Sequence, residues 1–205
     1  MKTMVSWILS LSLLVTGCGT VVPHNSTGGP TTASNSANGA SIGQSSQLPT
    51  APESPLVGHP ASNFDLKTLN EKTTVALHDL LGKQPILINA WASWCPPCQQ
   101  ETPDLVAMSK KYGGEIQFVG VNMTSDHDSV TAAIAFVHKY GVTYPTLLDL
   151  KGSFFKDYQI IGYPTTFILE PNGTVQNVHV GLLTRSQMAS LITEALKASK
   201  ITPKA

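Results

Sequence analysis

Charge is scarce in this 205-residue chain: only 13% of residues are Asp, Glu, Lys or Arg, and 13 basic residues balance 13 acidic ones. A neutral chain lacks the basic excess that nucleic acid or an acidic lipid surface demands of a main partner. Long apolar runs are missing too. No stretch beyond the N-terminus reaches the roughly 18 residues of a membrane-spanning helix, although a hydrophobic fraction of 41% suffices for a packed core. Cysteine is sparse at three residues, too few to staple a small scaffold. Those three are Cys18, Cys95 and Cys98, and their positions carry more than their number.

The N-terminus reads as an export signal. Lys2 is followed by the apolar run Val5–Val15, which has the length of a signal core and is too short to span a bilayer comfortably. The run ends in Val15-Thr16-Gly17-Cys18, which resembles a bacterial lipobox. That resemblance implies removal of residues 1–17 and lipid attachment to Cys18. Two or more acyl chains would hold the protein at the membrane. Residues 18–55 then form a tether. Thirty-one of the 37 residues from 19 to 55 are Gly, Pro, Ser, Thr, Asn, Ala or Gln, and Glu53 is the only charged one. Such a composition has too little apolar surface to offset chain entropy and predicts disorder. A flexible chain of that length spans roughly 30–35 Å.

A folded domain is expected over residues 56–205. Asn63–Leu66 and Thr73–Leu77 read as a short hairpin. Pro85–Trp91 is nearly all apolar, the mark of a central strand buried on both faces. Pro96–Tyr112 predicts a helix and Ile116–Asn122 a strand. Ser125 or Asp126 is placed to cap a second helix, with Val130, Ile134 and Val137 on its apolar face and Gly141 at its end. Thr146–Asp149 is a short strand. Thr165–Leu169 and Thr174–Val180 flank Pro171-Asn172-Gly173, a hairpin signal. Thr184 and Gln187 form a capping box for a last helix, whose stripe is Met188, Leu191, Ile192, Ala195 and Leu196. Crossover helices between successive strands imply a parallel central sheet with helices on both faces.

Trp94-Cys95-Pro96-Pro97-Cys98 carries the chemistry, because it follows the buried strand and opens a helix. The unpaired N–H groups and dipole of a helix N-terminus favour negative charge. Such placement lowers cysteine pKa values from about 8.5 into the range of roughly 3.5–7.5. The spacing brings two sulfurs close enough to bond. Pro96 and Pro97 cost little in a first turn and stiffen the path between the thiols. Cys95, at the helix mouth, is expected to be the more exposed and to attack, and Cys98, further in, to resolve the mixed disulfide. A static disulfide and a metal site are the alternatives. The metal site would need ligands that the histidines do not offer at zinc spacing. Thiol–disulfide exchange needs no cofactor beyond the two thiols.

At these residues the chain resembles thioredoxin, and within that superfamily the exported, membrane-anchored TlpA/ResA-like thiol-disulfide oxidoreductases. The likeness rests on Asn89 through Cys98, on Pro103 in the same helix, and on Gly162-Tyr163-Pro164-Thr165-Thr166. It rests also on an added helix and strand between Asp126 and Asp157. It implies an α/β thioredoxin fold: a central mixed sheet flanked by helices, with an N-terminal hairpin and a TlpA-type helix/strand insertion. It further implies a cis peptide before Pro164, facing the cysteines and exposing the backbone of Tyr163 to an extended target peptide. Tyr144-Pro145 is a rival for the cis position. Trp94, with Pro96, Pro97 and Tyr163, would line the target site. Thioredoxins carry a buried aspartate where this chain has Asn89. The nearest substitute is Glu101, one helical turn after Cys98, where ResA-like proteins carry a glutamate linked to active-site acid–base behaviour. The alternative for Glu101 is an acid placed for the helix dipole.

The resulting expectation is a lipid-anchored domain in the cell envelope, facing the extracytoplasmic side, that exchanges thiols and disulfides in exported proteins. The resemblance favours a reductase fed by a membrane electron-transfer partner, with apocytochrome c heme-site cysteines among its targets. An oxidase that donates disulfides and a non-catalytic metal-binding lipoprotein are the rivals. A peroxidase is disfavoured, because no Thr-x-x-Cys site occurs early in the domain.

Overall fold

A computed structural model describes residues 54–201, with side chains through residue 200. The signal segment 1–17, the lipidation site Cys18 and nearly all of the tether 18–55 lie outside the described residues. No helix among the described residues is long and apolar enough to cross a membrane.

Seven strands form one mixed sheet. In chain order they are β1 (Asp65–Thr68), β2 (Thr74–Ala76), β3 (Ile86–Trp91), β4 (Gln117–Asn122), β5 (Thr146–Leu148), β6 (Thr165–Leu169) and β7 (Val175–Val180). The spatial order is β2-β1-β5-β4-β3-β6-β7. Strands β3, β4 and β5 run parallel, while β6 pairs antiparallel with β3, β7 with β6, and β1 with both β5 and β2. Every residue of β3 is buried, as its continuous apolar run demands of a strand covered on both faces. The helices are α1 (Leu77–Leu80), α2 (Pro96–Tyr112), α3 (Val130–Tyr140), α4 (Ser153–Asp157) and α5 (Arg185–Ile201).

Period-two alternation along β3 divides the core. Ile86, Ile88 and Ala90 join Phe64, Val119, Phe154 and Phe167 on one face. Leu87 joins Leu105, Met108, Phe118, Ile168, Met188 and Ile192 beneath α2 and α5 on the other. Asn89 follows Leu87 on that second face, so its amide is turned toward α2. Of the expected stripe on α5, Met188, Ile192 and Ala195 are fully buried and Leu191 and Leu196 partly so. Thr184 and Gln187 close the capping box, with the Thr184 amide donating to Gln187 Oε1 at 2.9 Å.

Several sequence expectations are corrected. The cap of α3 is Ser129, whose hydroxyl oxygen accepts from the Ala132 amide at 3.1 Å, and not Ser125 or Asp126. The apolar face of α3 is turned by a residue: Ala133 and Phe136 are buried, whereas Ile134 is 36% exposed. Leu77 opens α1 rather than extending the hairpin, and Asp79 closes that turn by accepting from the Ala76 amide. The five-residue helix α4 was not foreseen. Asp149, fully buried, accepts from the amides of Phe154 and Phe155 in its first turn, a capping contact too local to show in hydrophobic periodicity.

Candidate active site

The parallel strands β3 and β4 end on the same side of the sheet, and antiparallel β6 begins there. Three loops therefore meet at one edge: residues 92–95 after β3, 123–129 after β4, and 161–164 before β6. Carboxyl ends of parallel strands are where α/β sheets place their sites.

Cys95 is the N-cap of α2, with Pro96 and Pro97 exposed in the first turn. Cys95 and Cys98 form a disulfide with sulfurs 2.20 Å and Cα atoms 5.3 Å apart. The Cys98 amide donates to Cys95 Sγ at 3.2 Å, so the helix end points a donor at this sulfur. The expected difference in exposure is absent in the disulfide form, where each cysteine is only 2% exposed. Position at the cap, rather than accessibility, distinguishes Cys95. The peptide bond before Pro164 is cis, and Tyr163-Pro164 is the one cis bond among the described residues, so Tyr144-Pro145 is not the cis site. Pro164 is buried at the start of β6, and its carbonyl accepts from the Gly181 amide at 2.7 Å.

Next to the pair on α2 lies a buried floor. Glu101 is 2% exposed and so is not a surface acid placed for the dipole. Its Oε1 receives a long 3.5 Å contact from Asn89 Nδ2, and its Oε2 has no partner within hydrogen-bonding geometry. Asn89 is better bound to Thr166 Oγ1, at 3.1 Å. Burial pushes the Glu101 carboxyl from 4.5 up to about 8, against the pull of the Leu183 amide and with added repulsion from Asp104. The phenol of Tyr144 is raised by burial and then by the Glu101 charge.

In front lies a polar rim that the sequence reading missed. Asp128 accepts from the Ser93 amide and hydroxyl, each at 2.6 Å, from Asn122 Nδ2 at 2.8 Å, and from the Ser129 amide at 2.8 Å. Burial raises its pKa, but these hydrogen bonds outweigh burial and hold the carboxyl below the usual range. Gln99 Nε2 donates to the Ser93 carbonyl at 2.9 Å. The loop leading into Cys95 is thus pinned from two sides. Asp126 accepts from the Tyr163 hydroxyl at 2.7 Å, and its carbonyl accepts from Trp94 Nε1 at 3.3 Å. Trp94 and Tyr163 meet edge to face at 5.7 Å. Trp91 stacks on Phe136 in the core. The available signal for the rim was a polar Asp126-His127-Asp128-Ser129 run just past a strand's carboxyl end. Among the described residues, no group of three or more His, Cys, Asp or Glu side chains is arranged to hold a metal ion.

The AhpC/TSA family matches residues 57–178. The thioredoxin-like protein YneN of Bacillus subtilis is 41% identical over 131 residues, covering 64% of this chain and 75% of its own. The thiol-disulfide oxidoreductase ResA of Oceanobacillus iheyensis is 34% identical over 144 residues, covering 67% and 72%. A solved thiol:disulfide interchange protein DsbE from Chlorobium tepidum superposes with a TM-score of 0.62 at 30% identity, covering 68% of this chain and 97% of that one. With a cysteine pair at bonding distance on a helix N-terminus, in a seven-stranded mixed sheet of this topology, the chain belongs to the thioredoxin-like AhpC/TSA family, among its ResA/DsbE-type thiol-disulfide oxidoreductases.

Proposed function

We propose that the protein is an exported, lipid-anchored reductase of disulfides in exported proteins, such as the heme-site cysteines of apocytochrome c, resupplied with electrons by a membrane partner. The lipobox-like end of the signal segment and the polar tether support the location. One observation carries the direction: the carboxyl behind the cysteines is buried, poorly bonded and raised to about 8. An oxidant such as DsbA owes its power to a stabilised reduced form. A floor that disfavours extra negative charge works against the donor that the helix end points at Cys95 Sγ, and this supports the reducing direction.

In this direction, the Cys95 thiolate attacks one sulfur of the target disulfide. A bond forms between them, the target's S–S bond breaks, and its other sulfur leaves as thiolate. Cys98 then passes its proton to the Glu101 carboxylate. The new thiolate attacks Cys95 Sγ, closes the Cys95–Cys98 bond and frees the second target sulfur. The target gains two electrons and the enzyme loses two. A base with a pKa near the working pH suits this transfer.

The reduction potential of the pair tests the direction. A value near thioredoxin's, about −270 mV, is expected, and one near DsbA's, about −120 mV, makes the protein an oxidase. Cys18→Ala tests the anchor: the variant is expected to leave the membrane fraction or to stall in processing, and wild-type fractionation of that variant removes the lipoprotein reading.

A further inference from the structure

Cys95 presents a problem of access. It sits at the mouth of α2 beside exposed Pro96, yet it is 2% exposed. Tyr163 packs against the cluster that contains Cys95 and Cys98. Its hydroxyl is held by Asp126 Oδ2 at 2.7 Å, and the same residue's carbonyl holds the indole N–H of half-exposed Trp94. The two rings meet edge to face. One loop residue thus ties together the segment before Cys95 and the segment before Pro164. That loop is anchored in turn, because Asp128 binds Ser93, Asn122 and Ser129.

We propose that Asp126 is a positioning residue that latches Tyr163 and Trp94 across the cysteine pair, so that exchange requires a partner able to displace the Tyr163 hydroxyl. An extended target segment can do this. Its backbone N–H, or a donor side chain next to its cysteine, replaces Tyr163 at the Asp126 carboxylate while the segment lies along the freed Tyr163 backbone. A small thiol has no such donor in register and must wait for the latch to open. The latch therefore selects proteins over small thiols. It rests on the exchange activity of the pair alone, and neither the tether nor the direction of electron flow enters it.

The test is reduction of the full chain's Cys95–Cys98 disulfide by dithiothreitol, followed by tryptophan fluorescence. The reagent's thiolate attacks Cys95 Sγ and Cys98 leaves as thiolate. The reagent's second thiol then displaces Cys95, giving two enzyme thiols and the cyclic disulfide of the reagent. Tyr163→Phe keeps the ring and every charge but removes the hydrogen bond, and it is expected to react on the order of ten-fold faster. Asp126→Ala is expected to match it, Asp126→Asn to stay near wild type because an acceptor oxygen remains, and the Tyr163→Phe/Asp126→Ala double variant to gain nothing beyond either single change. Acceleration in Asp126→Ala without acceleration in Tyr163→Phe would mean simple relief of charge repulsion on the incoming thiolate, and it overturns the latch. So does a multiplicative double variant, or a Tyr163→Phe rate within two-fold of wild type. Tyr163→Phe decides the matter even where Asp126→Ala fails to fold.

Discussion

Two carboxylates flank one disulfide in opposite surroundings. Glu101 on the floor is buried with one long side-chain hydrogen bond, the pull of the Leu183 amide and an unpartnered oxygen, and its pKa rises. Asp128 on the rim is also partly buried, yet four donors converge on it and its pKa falls. Burial acts in the same direction on both, so the number of donors decides the outcome. A carboxylate saturated with donors stays ionised and holds a loop in place. One starved of donors takes and gives a proton near neutral pH. Glu101 lies one helical turn after Cys98, the thiol that loses its proton in the proposed reduction, and Ser93, held by the rim, lies two residues before Cys95.

The largest effects come from the cysteines themselves and test this division directly. Cys98→Ala is expected to abolish turnover and to accumulate a mixed disulfide between Cys95 and a target, seen on non-reducing gels. Cys95→Ala is expected to abolish turnover and trap almost nothing. Equal trapping by both variants would break the assignment of presentation to the rim and deprotonation to the floor.

Next in size is Glu101→Gln. Resolution of the mixed disulfide is expected to slow by about 10²-fold near neutral pH, the usual contribution of a general base. The wild-type resolving rate should climb with pH and level off above about 8, as Glu101 ionises, and the variant should lack that rise. Stability gives an independent reading. Because the folded pKa of Glu101 lies above 4.5, the folded state binds the extra proton between pH 4.5 and about 8. Its stabilising effect is complete below that window and is lost as pH rises through it, on the order of 5 kcal/mol in total. Urea denaturation of the oxidised protein should show this slope in the wild type and a flatter curve in Glu101→Gln.

The floor was partly legible in the sequence and the rim was not, for a physical reason. Glu101 lies on the same helix as the cysteines, so a three-residue spacing places it near Cys98 whatever the rest of the fold does. Its burial, with the distant Leu183 backbone acting on its carboxyl, is recorded in no local pattern. Asp128 reaches Ser93 across 35 residues of chain, and Asp126 reaches Tyr163 across 37. Contacts of this kind arise only once β3, β4 and β6 have placed their loops at one edge. The sheet itself was readable, because β3, β4 and β6 are apolar runs and Asn172-Gly173 marks the turn between β6 and β7. Helices α1 and α4 were missed because two short turns capped by Asp79 and Asp149 carry no periodicity.

On the rim, Asp128→Ala is expected to cost about 2 kcal/mol, since the Ser93 amide and its partners lose their acceptor. The pH dependence should run opposite to that of the floor. A depressed folded pKa gives a contribution that is present above the unfolded value of 3.8 and is lost as pH falls through the folded one. Acid unfolding of the wild type should therefore include a component that is absent in Asp128→Ala. If the variant is as acid-sensitive as wild type, the four hydrogen bonds do not set the rim's stability.

The smallest effect separates burial from charge as the origin of the floor's weak acid. Asp104 lies one turn beyond Glu101 and adds repulsion to it, but it is paired with Arg185, and the two side chains are 30% and 62% exposed. Water screens charges so placed, and exposed pairs of this kind are worth about 0–1 kcal/mol. Asp104→Asn should therefore lower the Glu101 midpoint by less than about half a pH unit. Arg185→Ala should raise it by a similar amount, because Asp104 then acts uncompensated. The midpoint is read from the pH dependence of the resolving rate. A downward shift of more than a full unit in Asp104→Asn would make a surface charge, rather than the scarcity of donors around a buried carboxyl, the feature that distinguishes the floor from the rim.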